Sequence, residues 1–242
     1  MQLQWLVLVI FLAAIAADHF VYWRSFSRRV ARDAAAARHT LWLQWALTLW
    51  TCSALVLWVW IAGGEPLSSV GLALPSGWRL WAPLALGAAF VLLQGSTAMR
   101  LARLPAPSSK LRDQLGSTGH VMPHVASELP AFAGMAVTAG VCEELLFRGF
   151  LIWLLQPICG VWIAALLALA LFAVAHAYQG REGVIRSAAI GLVFTGIVLA
   201  TRSLWPAIVL HVLVDLMGGL VGWLILREPA APARAAEASA PH

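Results

Sequence analysis

Charge is scarce in this sequence. Only 11% of its 242 residues are Asp, Glu, Lys or Arg, while 61% are hydrophobic. A soluble domain carries about 25% charged residues. The mean hydropathy of +0.82 agrees, and together these values exclude a water-soluble globular chain and place the protein in a lipid bilayer. The length suits one compact bundle of helices, with no room for a large soluble domain. The net charge is +5, but the basic residues lie in short connections between apolar runs, where they set topology. Nucleic acid is therefore not an expected partner. The three Cys residues, Cys52, Cys142 and Cys159, lack C-x-x-C spacing, which argues against a disulfide framework or a thiolate zinc site. The alternation of a transmembrane β-barrel is missing. So is an internal repeat of the kind many transporters carry.

No Lys or Arg precedes the first apolar run, and Arg24, Arg28, Arg29 and Arg32 follow it. A secretory signal has its positive charges in front, so residues 3–23 read as an uncleaved anchor with its N-terminus outside. Asp18 and His19, late in that run, are expected to reach the interface. Further spans are expected at 40–62, 81–99, 130–155, 160–178, 184–200 and 204–226, each close to the ~20 residues a helix needs to cross. Seven spans put the loop Arg24 to Arg38, the loop Arg100 to Glu128, the turn with Arg181 and Arg186, and Arg227 on the cytoplasmic side. The outer connections keep only Arg79 and Arg202. That asymmetry follows the positive-inside rule and is an independent check on the count. The expected architecture is all-α: a polytopic transmembrane bundle of about seven spans around a cytoplasm-facing cavity. N-terminal spans and loops fill 1–129, a helical core fills 130–226, and a Pro/Ala-rich tail at 227–242 is expected to be disordered.

Against this apolar background, Glu143-Glu144-Leu145-Leu146-Phe147-Arg148 stands out. Ionisable groups at membrane depth are expensive and mark functional sites by default. In a helix Glu144 and Arg148 share a face, which lowers the cost of burying both. Glu143 points about 100° away and is free to act on water as a general base. His176 follows Phe172 by one turn, and His211 and Asp215 lie four apart on the last span. Asp215 can fix the tautomer of His211, or both can face a substrate carbonyl. Glu143, His176, His211 and Asp215 suffice for hydrolysis, with one His as oxyanion donor. The same groups also suit a catalytic zinc site. Each feature alone has a plain structural explanation; their joint occurrence on three spans favours a site. His39, His120, His124 and His242 lie in loops or the tail and receive no role.

These residues carry a resemblance. Glu143-Glu144-Leu145-Leu146-Phe147-Arg148-Gly149 is similar to an E-E-x-x-x-R motif, Phe172-Ala173-Val174-Ala175-His176 to F-x-x-x-H, and His211-Val212-Leu213-Val214-Asp215 to H-x-x-x-(N/D). Three motifs in this order resemble the CAAX protease and bacteriocin-processing (CPBP) family of intramembrane proteases, related to the type II CAAX prenyl endopeptidases. The resemblance covers roughly residues 130–226. It implies packed transmembrane helices around a conical, cytoplasm-open cavity, and hydrolysis of a peptide bond near a substrate C-terminus. It implies that Glu143 activates water with His176, that His211 and Asp215 stabilise the oxyanion, and that Glu144, Arg148 and Phe172 support the site. Asp215 departs from the Asn common in the prenyl-protease branch; an ionised Asp does not donate a hydrogen bond, so it must be protonated or must orient His211.

The expected function is an intramembrane endopeptidase acting on a membrane-associated protein or peptide, prenylated and CAAX-like or not. No cofactor is favoured; if zinc is bound, its ligands are Glu143, His176 and His211. The alternative is a non-enzymatic membrane protein of the same fold: an immunity or scaffold protein, or a proton-coupled transporter. The Ala-rich composition with its single Lys suggests a bacterial inner membrane. Glu143 near mid-span and His176 near a span end pose a depth mismatch that the fold has to resolve.

Overall fold

A computed structural model describes residues 2–104 and 108–227; the tail expected to be disordered lies, from 228 onward, outside the described residues. The described residues form helices joined by short turns, with no strand among them, in the order α1 (Gln2–Ala17), a π-helical turn (Asp18–Tyr22), α2 (Trp23–Val30), α3 (Ala34–Ala62), α4 (Trp78–Ala102), α5 (Ser109–Asp113), α6 (Leu129–Glu143), a π-helical stretch (Glu144–Leu151), α7 (Ile152–Ala175), α8 (Gly180–Thr201) and α9 (Trp205–Leu226), with short 3-10 turns and loops between. Six helices are long and apolar enough to cross a membrane. The first runs Leu3–Val30, so Arg24, Arg28 and Arg29 continue the helix rather than open a loop.

The sequence divides 130–178 into two spans, whereas one continuous apolar segment, Ala126–Ala175, runs for 50 residues. A straight helix of that length would measure about 75 Å, more than twice a bilayer core of ~30 Å. It is not straight. Gly160 has φ 79° and ψ 157°, a backbone state that L side chains rarely adopt. The rings of Phe147 and Phe172 are 5.2 Å apart, although 25 residues of continuous helix would separate them by about 38 Å. The segment is therefore a hairpin folded at Gly160.

That hairpin removes the depth mismatch. Glu143 lies 17 residues before the fold and His176 lies 16 after it, so they are level. Beyond their level only the first arm continues, as α6, for roughly 20 Å. The α6 residues Phe132, Met135, Ala136 and Ala139 form one wall of a cavity of about 200 Å³.

Helix α9 packs against α4, α6 and α8. Its contact with α6 is set by Gly140: a Cβ there would lie 2.5 Å from Cγ2 and 2.9 Å from the backbone N of Val212. Since Val212 follows His211, this approach delivers His211 to the level of the two glutamates. Outside the site, Arg38 is not a loop residue but sits in the first turns of α3. Its guanidinium meets Glu128 Oε1 at 2.8 Å, both side chains being buried. Glu128 Oε2 accepts the backbone N–H of His124 at 2.7 Å, so this carboxylate clamps α3 to the start of α6.

Gly140→Ala is expected to destabilise the protein by about 1–3 kcal/mol through overpacking. Gly134 lies on the same helix, where an added Cβ meets nothing within 4 Å. Gly134→Ala should instead be neutral or up to ~1 kcal/mol stabilising. Melting temperatures of the two variants in detergent check this; equal values would show that the α6–α9 approach does not limit stability.

Candidate active site

The two adjacent carboxylates part company. Glu144, at 0% exposure, turns away from the cavity. Its Oε1 accepts from Arg148 Nη1 at 2.9 Å and from His211 Nδ1 at 2.8 Å. Arg148 has further acceptors on α8: Nη2 donates to the Gly191 carbonyl at 3.2 Å and Nε to Thr195 Oγ1 at 3.4 Å. Its guanidinium carbon stands 4.2 Å from the Phe172 ring centroid. A buried ion pair is sustained by further hydrogen bonds; every guanidinium nitrogen of Arg148 has an acceptor, while Glu144 Oε2 is buried without a partner among the described residues.

Glu143 faces the cavity instead. Its Oε2 is 3.9 Å from His176 Nε2 and 3.8 Å from His211 Nε2, and makes no hydrogen bond among the described residues. These separations are beyond direct hydrogen bonding and suit a bridging water. Both imidazoles are oriented from behind. The His176 Nδ1–H donates to the Phe172 carbonyl at 2.8 Å, leaving Nε2 toward Glu143. This is the physical content of F-x-x-x-H. The ring of Phe172 supports Arg148, and its carbonyl, one turn back, sets the tautomer of His176.

His211 is held by Glu144 rather than by Asp215. Asp215 Oδ2 is 3.6 Å from His211 Nε2, too far for a hydrogen bond. Of the two arrangements open in the sequence, the one present has His211 Nε2 and Asp215 both facing the cavity. The cavity is lined by Glu143, His176, His211 and Asp215 together, so these candidates, from three helical segments, meet in one place.

Tetrahedral zinc with bonds of 2.0–2.1 Å needs its ligand atoms about 3.3 Å apart. The Glu143 to His176 and Glu143 to His211 separations of 3.9 and 3.8 Å are wider. Among the described residues no group of three His, Cys, Asp or Glu is arranged to hold a metal ion.

Three features escaped the sequence reading. Asp18, expected at the interface, lines the cavity, and its Oδ1 accepts the indole N–H of Trp45. Helix α8, given no role, supplies both extra acceptors for Arg148. Its Phe194 ring also packs 5.1 Å from that of His211. Gly191 and Thr195, one turn apart in an apolar helix, were the available signal. Tyr178, just past His176, lies with its ring 5.1 Å from that of Trp45.

The apolar helices and the polar cavity between them describe a polytopic helical membrane protein. Residues 125–217, which include all seven candidate site residues, are similar to the family described as type II CAAX prenyl endopeptidase Rce1-like. The match covers less than half of the chain. No curated protein and no solved structure matches. Apolar helices and family together make the chain an integral membrane protein.

Glu144→Gln leaves Arg148 buried with its charge uncompensated, and is expected to cost about 3–5 kcal/mol. Glu143→Gln replaces a buried carboxylate oxygen without a partner, and should leave the melting temperature unchanged or higher. Thermal melts of the two neighbouring variants check the contrast; equal losses would contradict the division of roles.

Proposed function

We propose that the protein is an intramembrane endopeptidase, cutting a peptide bond of a membrane-associated substrate with water activated by Glu143 and His176. Its cavity opens to the cytoplasm of a bacterial cell. The observation that carries this reading is the placement of Glu143 Oε2 opposite two imidazole nitrogens at 3.9 and 3.8 Å, with each imidazole fixed through its other nitrogen.

A water between Glu143 and His176 gives one hydrogen to the Glu143 carboxylate and the other to His176 Nε2, so its lone pair is aimed at the substrate. Glu143 removes a proton as the water oxygen bonds to the scissile carbonyl carbon, and the carbonyl π electrons move onto oxygen. His211, with Nδ1–H on Glu144 and Nε2–H toward the cavity, donates to that oxyanion. Asp215 Oδ2, 3.6 Å from Nε2, faces this proton in the resting site and gives way to the oxyanion. On collapse the C–N bond breaks and the proton held by Glu143 passes to the leaving amine. Pre-set donors need no reorganisation during the reaction, which is where their catalytic value lies. The scheme needs no metal, because both hydrogens of the water have acceptors.

The test uses purified protein in detergent, a quenched peptide reporter with and without a prenyl group, and metal analysis. Glu143→Ala and His176→Ala should each lower cleavage by about 10²–10⁴-fold, the range for loss of a general base, without loss of the folded protein. A chelator should leave the wild type active. Full activity in both variants would overturn the reading. Stoichiometric zinc removed together with activity would transfer water activation to a metal.

A further inference from the structure

The cavity holds one carboxylate that the hydrolytic scheme does not use. Asp18 comes from the first helix, far outside the family-matched residues, yet lines the same cavity as Glu143, His176 and Asp215. It sits in a π-helical turn, Asp18–Tyr22. The other π-helical stretch of the described residues begins at Glu144, so both adjoin this cavity. Such turns interrupt the regular ladder and recur at functional sites.

The ion pairs of the described residues show a second asymmetry. The buried carboxylates of Glu128 and Glu144 each hold a guanidinium. Glu143 and Asp215 each face an imidazole. Asp18 alone of the cavity carboxylates has no cationic side chain within ion-pair distance among the described residues; its one fixed partner is the indole N–H of Trp45. Aromatic side chains, Tyr22, Trp45 and Tyr178, line the same cavity. The Tyr178 ring is 5.1 Å from Trp45 and 5.2 Å from Trp23, and 6.1 Å from the His176 ring. A carboxylate beside aromatic faces suits a cation by charge and by the ring quadrupole. Among the described residues lining the cavity there is no Lys or Arg, so a cationic side chain entering it would reach Asp18 without competition from a fixed guanidinium or ammonium group.

We infer that Asp18, with Trp45 and Tyr178, is a specificity site for a cationic side chain, Lys or Arg, close to the scissile bond of the substrate. The inference names the substrate class of the hydrolytic cavity and rests on that reading. Tyr178 links the two centres, because its ring lies between Trp45, which holds Asp18, and His176.

The experiment takes the full chain in detergent and three quenched reporter peptides, identical except for Lys, Leu or Glu at each position flanking the scissile bond in turn. The readout is the ratio of kcat/KM values. At one position the wild type should prefer Lys over Leu by about tenfold, on the order of one close charge pair, and should disfavour Glu. Asp18→Asn should bring the Lys-to-Leu ratio near one, and Asp18→Lys should invert it toward Glu. Labelled, uncleaved amides of the same peptides are titrated by anisotropy against Glu143→Gln and against Glu143→Gln/Asp18→Asn protein. Binding separates the two readings. A Lys preference in binding that Asp18→Asn removes, with no cleavage by the wild type, keeps the cation site and refutes hydrolysis. Cleavage with equal rates for Lys and Leu at every position, or an unchanged ratio in Asp18→Asn, overturns the cation site and leaves hydrolysis standing. No Lys preference in either cleavage or binding also overturns it.

Discussion

The carboxylate of Glu144 is the constraint on which the rest of the site depends. One oxygen, out of reach of solvent, accepts from both Arg148 and His211. Through Arg148 it reaches α8 at Gly191 and Thr195, and Phe172 on the second arm of the hairpin. Through His211 it reaches α9. Withdrawing such an ion from water costs several kcal/mol, recovered only with good geometry and satisfied neighbours. Small displacements of any of these segments would forfeit that recovery. A group with little net worth in stability thus serves to fix positions. The nitrogen of His211 that faces the cavity is placed by a contact made on the far side of the ring.

His176 follows the same logic with a cheaper partner. A backbone carbonyl one turn back holds Nδ1, and no charge has to be buried to do so. The two imidazoles therefore differ in what stands behind them: a neutral carbonyl for His176, a carboxylate for His211. In the proposed reaction that difference would separate an acceptor for water from a donor to an oxyanion, although the two residues present the same atom to the cavity. Glu143 stands between them as the one member of the pair of glutamates that has been given no partner of its own.

Much of this was legible in the sequence because it is local. The four-residue spacing of Glu144 and Arg148 foretold their pair and left Glu143 over. Phe172 and His176 stand one turn apart, and Phe172 also proves to hold Arg148. The all-helical bundle followed from the shortage of charge and the length of the apolar runs. What the sequence could not display depends on which faces meet. The break between the spans at 130–155 and 160–178 was legible in the sequence, but only the backbone state of Gly160 fixes where the chain folds back and so makes Glu143 and His176 level. Asp18 looked like an interfacial residue because it lies late in its run, beside His19 and a few residues before the basic cluster that begins at Arg24. Helix α8 has no ionisable residue near the site, so its carbonyl and hydroxyl contributions to Arg148 left no charge pattern to read. The partner of His211 was sought at Asp215, its helical neighbour. The actual partner is 67 residues away, and no periodicity records it.

The distribution of the few charges also bears on the proposed hydrolysis at this depth. The acidic and basic groups in and around the site fall into two sets, with His211 touching both. Arg38 with Glu128 and Arg148 with Glu144 are sealed in ion pairs; Asp18, Glu143, His176 and Asp215 border the cavity. A carboxylate without a counter-charge persists inside a membrane protein only where a water-filled space borders it. Hydrolysis consumes water, and lipid supplies none. The carboxylates that make this cavity costly to fold therefore also make it polar enough to be wet. The extension of α6 beyond the level of Glu143 and His176 gives that wet space a wall leading out of the bundle. The same unpaired carboxylates that retain water are the groups a cationic substrate would neutralise, so water retention and substrate selection draw on one set of charges.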